Sequence, residues 1–422
     1  MLDYVNNTVW MVTSILIFIS GIYFTFKIKF QQFNFKKMFS ALKEKSSENG
    51  ISPMQTLTVN LAAKIGVGSI TGIALAIYTG GVGTIFWMWI TAIIASSNTF
   101  VESVLGVKYR EKDEGNIYKG GPSFYIEKGL KKKKLARVYS YMIIFAFVIG
   151  FITIQSNTIV VGITDKVAIS PIIIGIGIVL LTALVIVNGI KSIANVTNFL
   201  VPFMSIIYII ICFIILFLNA SSLPSILVSI FKEAFNFKSA GIGVLTTFLI
   251  GMQKGLFSNE AGLGTGAIAA GTSDTDNPMS QGYIQSLGIY IDTLIIGTLS
   301  ALVVMCSDFS SLNLLDANGI EIVKFAFESH LGDFGGNMVV IIIFLFAFST
   351  IITGYYYGES SLKYIKKDAT KKDLLILKIA TLILLFVGCL LSSGFIWTIV
   401  DIFVAVLAII NIYALWKLRD KI

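Results

Sequence analysis

Lys64-Ile65-Gly66-Val67-Gly68-Ser69 interrupts one membrane-length apolar stretch, Thr56 to Tyr78, and Lys254-Gly255-Leu256-Phe257-Ser258-Asn259-Glu260-Ala261-Gly262 interrupts another, Ile242 to Ala270. Inside a bilayer every backbone N–H and C=O needs a partner within the protein, so a crossing segment is ordinarily one unbroken helix. A break at mid-depth is tolerated where it lines a cavity or is buried among other helices. Two such breaks in corresponding halves of a chain point to the binding site of a secondary transporter.

Of the 422 residues, 55% are hydrophobic and 13% charged, and mean hydropathy is +0.84, which excludes a soluble domain and fits a polytopic membrane protein. Crossing takes about 20 apolar residues in a helix. Eleven spans meet this, near 8–28, 54–78, 84–107, 139–161, 171–188, 199–218, 242–269, 283–306, 337–360, 373–391 and 396–416. With the N-terminus outside, the loops placed inside hold 25 lysines and arginines and those outside hold 4. That asymmetry makes the net charge of +8 a sign of topology and not of nucleic-acid binding. The run Lys131–Lys134 then reads as a basic signal at the inner lipid surface. The expected location is a bacterial plasma membrane, with the C-terminus cytoplasmic beside Lys417, Arg419 and Lys421. Cys212, Cys306 and Cys389 fall in or beside spans, an odd count without metal-ligand spacing or a disulfide framework. The N-terminus has no basic n-region or cleavage motif, so its first apolar stretch is expected to be a retained helix.

Residues 1–50 hold one extra helix and an inner loop, and residues 51–218 and 242–416 form two groups of five helices. A connection over 219–241 joins the groups, and 417–422 is a short tail. Each group opens with a broken span. Five crossings separate the breaks, so they enter the membrane from opposite faces, as in an inverted repeat. In the connection, Ile226, Leu227, Ile230, Phe231 and Phe235 recur at helical spacing. The expectation is an amphipathic helix, either lying at the interface or packed on the bundle as a lid.

Gly66 and Gly68 let the first span unwind. Unwinding frees the amides of Val67 and Gly68 at a helix N-terminus, where the dipole favours a carboxylate. It also frees carbonyls near Ala62 and Ile65, which suit a hard cation such as sodium. The run Gly66–Ser69 is therefore a candidate site, whereas Gly72 and Ala76 read as small residues for helix packing. In the second break Phe257 is placed to wall a small substrate, and Ser258 and Asn259 to hydrogen-bond it. Glu260 at bilayer depth marks either a site or a buried pair. Lys254, six residues earlier, and Glu102 are its candidate partners, and Lys64 lies in the first break. Gln155 and Asn157 stand mid-span; Gln155 is read as a site residue. The hydroxyls of Ser349 and Thr350 either cap their own helix or supply oxygens to a cation. Asp292 and Asp401 are read as structural.

These segments resemble the alanine or glycine:cation symporter family. The resemblance rests on Gly80-Gly81-Val82-Gly83-Thr84-Ile85-Phe86-Trp87-Met88-Trp89, Gly120-Gly121-Pro122-Ser123-Phe124-Tyr125, Phe257-Ser258-Asn259-Glu260-Ala261-Gly262, Gln281-Gly282, Asp292-Thr293 and Tyr357-Gly358-Glu359. It spans nearly the whole chain, and its FWMW and SNEAG runs form a specific pair. The resemblance implies a leucine-transporter-like fold: an all-α membrane protein whose ten core helices form a 5+5 inverted repeat, here preceded by one extra helix. It implies a sodium ion between Ala62, Ile65, Ser349 and Thr350. It places the substrate carboxylate at the amides of Val67 and Gly68, with Gln155 contributing. The family usually has Asn at Ser69, Gly or Ala at Thr84, Gly at Ala95 and often a neutral residue at Lys64. An ammonium at Lys64 either mimics a bound cation, exchanges a proton, or turns away from the ion.

The resulting reading is sodium-coupled symport of small neutral amino acids, alanine and glycine, by alternating access. Substrate contacts are assigned to Gly66, Val67, Gly68, Ser69, Gln155, Phe257, Ser258 and Asn259, and gating or coupling to Lys64, Glu102, Lys254 and Glu260. Its partners are the amino acid, sodium and the lipid bilayer, with no cofactor, nucleic acid or obligate protein partner. A proton-coupled or sodium-independent carrier, with Lys64 in place of the cation, is the alternative. A channel is disfavoured by the inverted repeat in a single chain. An enzyme is disfavoured because the sequence has one histidine, His330, and no H-E-x-x-H, G-x-S-x-G or Walker motif.

Overall fold

In the computed structural model, residues 2–44, 46–47, 50–113, 117–236, 244–308, 319–391 and 394–422 are described. The expected domain boundary at 241/242 lies outside them.

The first broken span starts at a full capping box. Ser52 Oγ accepts from Gln55 N, Gln55 Oε1 accepts from Ser52 N, and Pro53 occupies the first turn, where its missing N–H costs nothing. The helix Pro53–Lys64 then stops because Gly66 is extended (φ −109°, ψ −160°). A single turn, Val67–Ser69, leads into a second half-helix, Thr71–Gly80. The second broken span runs Val244–Asn259 and resumes at Thr265–Ala270. Between them Glu260, Gly262 and Gly264 all take left-handed φ (54°, 80° and 94°). Glycine adopts that region freely, but a side chain there costs on the order of 1–2 kcal/mol. Glu260 is thus held in place by its surroundings.

Among the described residues, eight helices are long and apolar enough to cross a membrane: Thr8–Lys27, Thr84–Lys108, Lys133–Thr164, Ile190–Leu218, Pro278–Cys306, Gly319–Ile365, Lys371–Leu390 and Val400–Lys417. The remaining expected spans are the two broken pairs and the shorter Pro171–Ile186. Gly319–Ile365 is two helices joined at Gly332 (φ 59°, ψ −152°). The connection expected over 307–336 therefore carries a helix from Gly319 onward. Leu184, Phe199 and Phe217 are strongly exposed, so their helices form the lipid-facing shell. The helix Thr84–Lys108 lies inside, with Ser96, Ser97, Asn98, Thr99, Glu102 and Ser103 all fully buried.

The connecting helix Leu223–Ala234 buries Ile226, Ile230 and Ala234. Phe86 lies 5.6 Å from Phe231 and 5.0 Å from Phe235 (ring centroids), and Trp87 Nε1 donates to the Ala234 carbonyl at 3.2 Å. The helix is a lid on the FWMW end, and Leu227, Val228 and Phe231 keep an exposed apolar face. At one end of the bundle Lys27 pairs with Asp420 at 3.2 Å and Lys108 Nζ donates to Lys421 O at 2.7 Å. Another polar cluster joins Asn219 to His330 at 3.1 Å, Lys166 to Glu328 and Lys324 to Asp165.

Gly120 and Gly271 cross backbone against backbone: a Cβ on Gly271 would lie 2.5 Å from the Gly120 Cα. Arg110 locks the same crossing, its Nη2 donating to Thr275 O at 2.7 Å while the guanidinium stacks 3.6 Å from the Tyr118 ring centre. Gly72, expected to serve packing, has nothing within 4 Å of a built Cβ among the described residues, whereas Ala76 is fully buried. Gly271→Ala should therefore cost about 1–3 kcal/mol by overpacking, and Gly72→Ala should be neutral or slightly stabilising. Thermal melts of both variants in detergent check this; equal melting temperatures would contradict the crossing.

Candidate functional site

One buried carboxylate holds the two breaks together. Asp292 lies in Tyr290–Gly297, a wide π-type segment inside Pro278–Cys306. Its Oδ1 accepts from Ser69 Oγ at 2.6 Å, and its Oδ2 accepts from Ser258 Oγ and Thr293 Oγ1, each at 2.9 Å. The Ser69 and Ser258 hydroxyls are themselves 2.9 Å apart. Ser69 Oγ is also 2.8 Å from the Lys64 carbonyl, and its single proton serves one acceptor at a time. Hydroxyl bonds to a carboxylate are charge-assisted and stronger than neutral ones. Asp292, read from the sequence as structural, is the direct hydrogen-bonded link between both interrupted helices.

Asn259 holds the second break in shape. Its Oδ1 accepts from Ala261 N at 3.0 Å and its Nδ2 donates to Thr293 Oγ1 at 3.1 Å. Asn157 is likewise engaged, donating to the Leu391 carbonyl at a neighbouring helix end.

Beside the first break, the missing side chain of Gly66 leaves a narrow space. A Cβ there would sit 2.6 Å from Thr350 Oγ1 and 3.3 Å from Gln155 Nε2. Gln155 is buried, and its Oε1 has no hydrogen-bond partner among the described residues. A Cβ on Gly68 would lie 3.6 Å from the Phe257 ring. Phe257 in turn stacks on Phe151 (5.3 Å, 16° between planes). Phe151 ends a second wide segment, Ile144–Phe151, one turn before Gln155. Such segments inside α-helices occur most often at functional sites, because the extra residue re-aims the side chains that follow.

Three of the oxygens expected to hold a cation, from Ala62, Ser349 and Thr350, converge. Ser349 Oγ and Thr350 Oγ1 both lie 3.0 Å from the Ala62 carbonyl, and Thr350 Oγ1 lies 3.4 Å from that of Ala63. The same hydroxyls are 2.8 and 3.1 Å from Phe346 O, so helix capping and cross-helix contact are available to them together. Ile65 ends the half-helix, its N–H donating to Leu61 O at 2.7 Å. These are hard, uncharged oxygens, the donor set that fits sodium.

The charged residues separate into two groups. Lys64, Glu102 and Glu260 are all buried, and the carboxylates whose field reaches the Lys64 ammonium are, in order, Glu260, Glu102 and Asp292. Glu102 accepts from Asn411 Nδ2 at 2.8 Å, and the same amide reaches the Gly262 carbonyl at 2.9 Å. Lys254 is not in this group. It acts on Asp401, which also accepts from Asn6 Nδ2 at 3.2 Å. Among the described residues no ion pair joins Lys254 to Glu260: the helix ends at Asn259, Glu260 takes a left-handed turn, and both of its carboxylate oxygens are buried without a hydrogen-bond partner.

Two discontinuous helices, joined at mid-depth around a cluster of hydroxyls and carbonyls, define a secondary transporter of the broken-helix class. The profile of the sodium:alanine symporter family matches residues 1–422, and the chain belongs to that family. It is 37% identical over 423 residues to the probable sodium/glutamine symporter GlnT of Bacillus subtilis, covering 99% of this chain and 87% of that one. It is 34% identical over 432 residues to the sodium/alanine symporter AgcS of Methanococcus maripaludis, covering 99% and 94%. Its fold is that of a solved sodium-coupled sialic acid symporter, with a TM-score of 0.54 at 14% identity, covering 97% of this chain and 82% of the other.

Asp292→Asn keeps the shape but leaves the hydroxyls of Ser258 and Thr293 facing an NH2 group. A hydrogen bond to a charged group is worth about 1.5–3 kcal/mol. Uptake should fall at least tenfold while the purified variant still elutes as a folded monodisperse protein. Wild-type uptake by this variant would remove Asp292 from the mechanism.

Proposed function

We propose that this chain moves small neutral amino acids, alanine and glycine foremost, together with sodium, by alternating access across a bacterial plasma membrane. The observation that carries this reading is the adjacency of the Ala62–Ser349–Thr350 oxygens to the space beside Gly66 and Gln155. A sodium ion among those oxygens sits within reach of an amino acid whose carboxylate meets the amides of Val67 and Gly68. No side chain caps the turn Val67–Ser69, which leaves those amides to a ligand. Gln155 supplies an amide to the same ligand, and Phe257 limits the length of its side chain. Relatives named for alanine and for glutamine support a neutral amino acid as cargo. Binding of the ion and the amino acid is thereby linked through the first break, and each favours the other.

Lys64 decides between this reading and a sodium-independent one. An ammonium about 5 Å from the ion, at an effective dielectric near 20, would repel it by roughly 3 kcal/mol, about a hundredfold in affinity. Among the carboxylates Glu260 and Glu102 act most on Lys64, whose buried Nζ has no hydrogen-bond partner among the described residues, and this supports a side chain directed to their side of the break. Uptake of labelled alanine into proteoliposomes should therefore vanish in sodium-free buffer. Thr350→Val should raise the sodium concentration for half-maximal uptake about tenfold, and Gln155→Ala should weaken alanine with the fold intact. Full uptake without sodium would instead place Lys64 in the role of the ion.

The clustering of Lys27, Lys108 and Asp420 supports the inside face assigned from charge, and His330 falls on the other side by the same scheme. In a background lacking Cys212, Cys306 and Cys389, a cysteine at 330 should react with an impermeant thiol reagent on intact cells. A cysteine at 133 should react only after the membrane is opened. The reverse pattern would invert the topology.

A further inference from the structure

The span Lys133–Thr164 carries Phe151 and Gln155 beside the site, and its opposite end is crowded with positive charge. Lys131, Lys132, Lys133, Lys134 and Arg137 are all exposed. Neighbouring cations at this end of the bundle are paired, Lys128 with Glu111 at 2.9 Å and Lys27 with Asp420 at 3.2 Å. Lys132 Nζ donates to Tyr413 Oη and lies 4.8 Å from that ring's centre. Lys133 reaches Glu127 at 4.0 Å, and no ion pair holds Lys131, Lys134 or Arg137 among the described residues. Lys131 moreover takes a left-handed φ of 59° just after the helix Pro122–Leu130, a position that glycine fills without strain.

Beyond these charges the same span turns an apolar line outward. Lys134, Val138, Tyr141, Phe145 and Ile149 recur at three- and four-residue spacing, so they share one helical face. Val138, Tyr141, Phe145 and Ile149 are all exposed. The final helix, Val400–Lys417, borders this line: Phe145 stacks on Phe403 (5.5 Å, 11° between planes), and Tyr413 receives Lys132. The surface is thus a seam between two spans, cationic at its end and apolar along its length. An apolar stripe is common to every lipid-facing helix. Three unpaired cations at the head of one are not explained by lipid contact alone, since like charges held close repel one another until an opposite charge joins them.

We propose that this seam docks a phospholipid with an anionic headgroup, drawn from the leaflet at this end of the bundle. Its phosphate meets Lys131, Lys134 and Arg137, and an acyl chain lies along Val138, Tyr141, Phe145 and Ile149. Charge decides the class of lipid. Cations without carboxylate partners attract a headgroup of net negative charge, whereas a zwitterionic headgroup brings its own ammonium against them. A soluble anion meets the charges but leaves the stripe uncovered, so both parts of the lipid contribute. The docked lipid braces the far end of the helix that runs through the wide segment Ile144–Phe151 to Gln155.

The test is a thermal melt of the whole protein in neutral detergent, with phosphatidylglycerol or phosphatidylcholine added stepwise. Phosphatidylglycerol should raise the melting temperature saturably by binding the folded state, and phosphatidylcholine should not. Lys131→Gly, Lys134→Gln and Arg137→Gln together should raise the half-saturating phosphatidylglycerol concentration about tenfold. Lys367→Gln, Lys371→Gln and Lys372→Gln remove as much charge from another exposed, lysine-rich stretch and should leave that concentration unchanged. An equal loss in both triple variants would mean diffuse attraction and overturn the docking site. Equal stabilisation by phosphatidylcholine, or by inorganic phosphate alone, would overturn the anionic lipid as its occupant. Melting requires no transport, so none of these outcomes bears on the symport reading, which stands or falls by uptake.

Discussion

The central constraint is that the bilayer interior offers no water to an unwound backbone, so each break must find its partners inside the protein. Asp292 meets that constraint for both breaks together. Its two oxygens take hydroxyls from Ser69 on one interrupted helix and Ser258 on the other. Ser300 adds a bond to the Ser69 carbonyl at 3.1 Å, and Asn259 closes the second break on itself. With these bonds in place one carboxylate joins the two breaks.

Around this junction the chemistry is sorted by charge. Uncharged oxygens from Ala62, Ser349 and Thr350 gather on one side, both hydroxyls 3.0 Å from the Ala62 carbonyl. Lys64, Glu102 and Glu260 gather on another, all buried, with Lys64 Nζ and both Glu260 oxygens lacking a hydrogen-bond partner among the described residues. A buried ammonium without carboxylates nearby would cost far more than the fold can supply.

The helix Thr84–Lys108 ties these parts to the rest of the molecule. Its buried polar residues bond the first helix, through Asn98 and Ser97, and the wide segment carrying Asp292, through Ser96 and Tyr290 at 3.0 Å. Hydrogen bonds between membrane helices are worth about 0.6–2 kcal/mol each. Several in a row make the extra helix part of the core and not a lipid-side ornament.

Features written locally were legible along the chain. Apolar length located the spans, glycines beside charged residues located both breaks, and the basic loops gave an expected topology. The FWMW and SNEAG runs pointed to the family. Paired hydroxyls at Ser349 and Thr350 were legible because two polar residues interrupt an otherwise apolar helix. The tertiary structure decided which distant residues meet. Asp292 read as structural because a single carboxylate in a span does not name its partners, which lie 223 and 34 residues away. Lys254 looked like the partner of Glu260 because spacing along a chain assumes a continuous helix, and the left-handed turn at Glu260 breaks that assumption. Trp10 was not singled out, since an aromatic residue in an apolar helix resembles lipid-facing packing. Its place 6.4 Å from the Phe257 ring follows only from how the first helix docks, and docking depends on contacts between helices that no local pattern records.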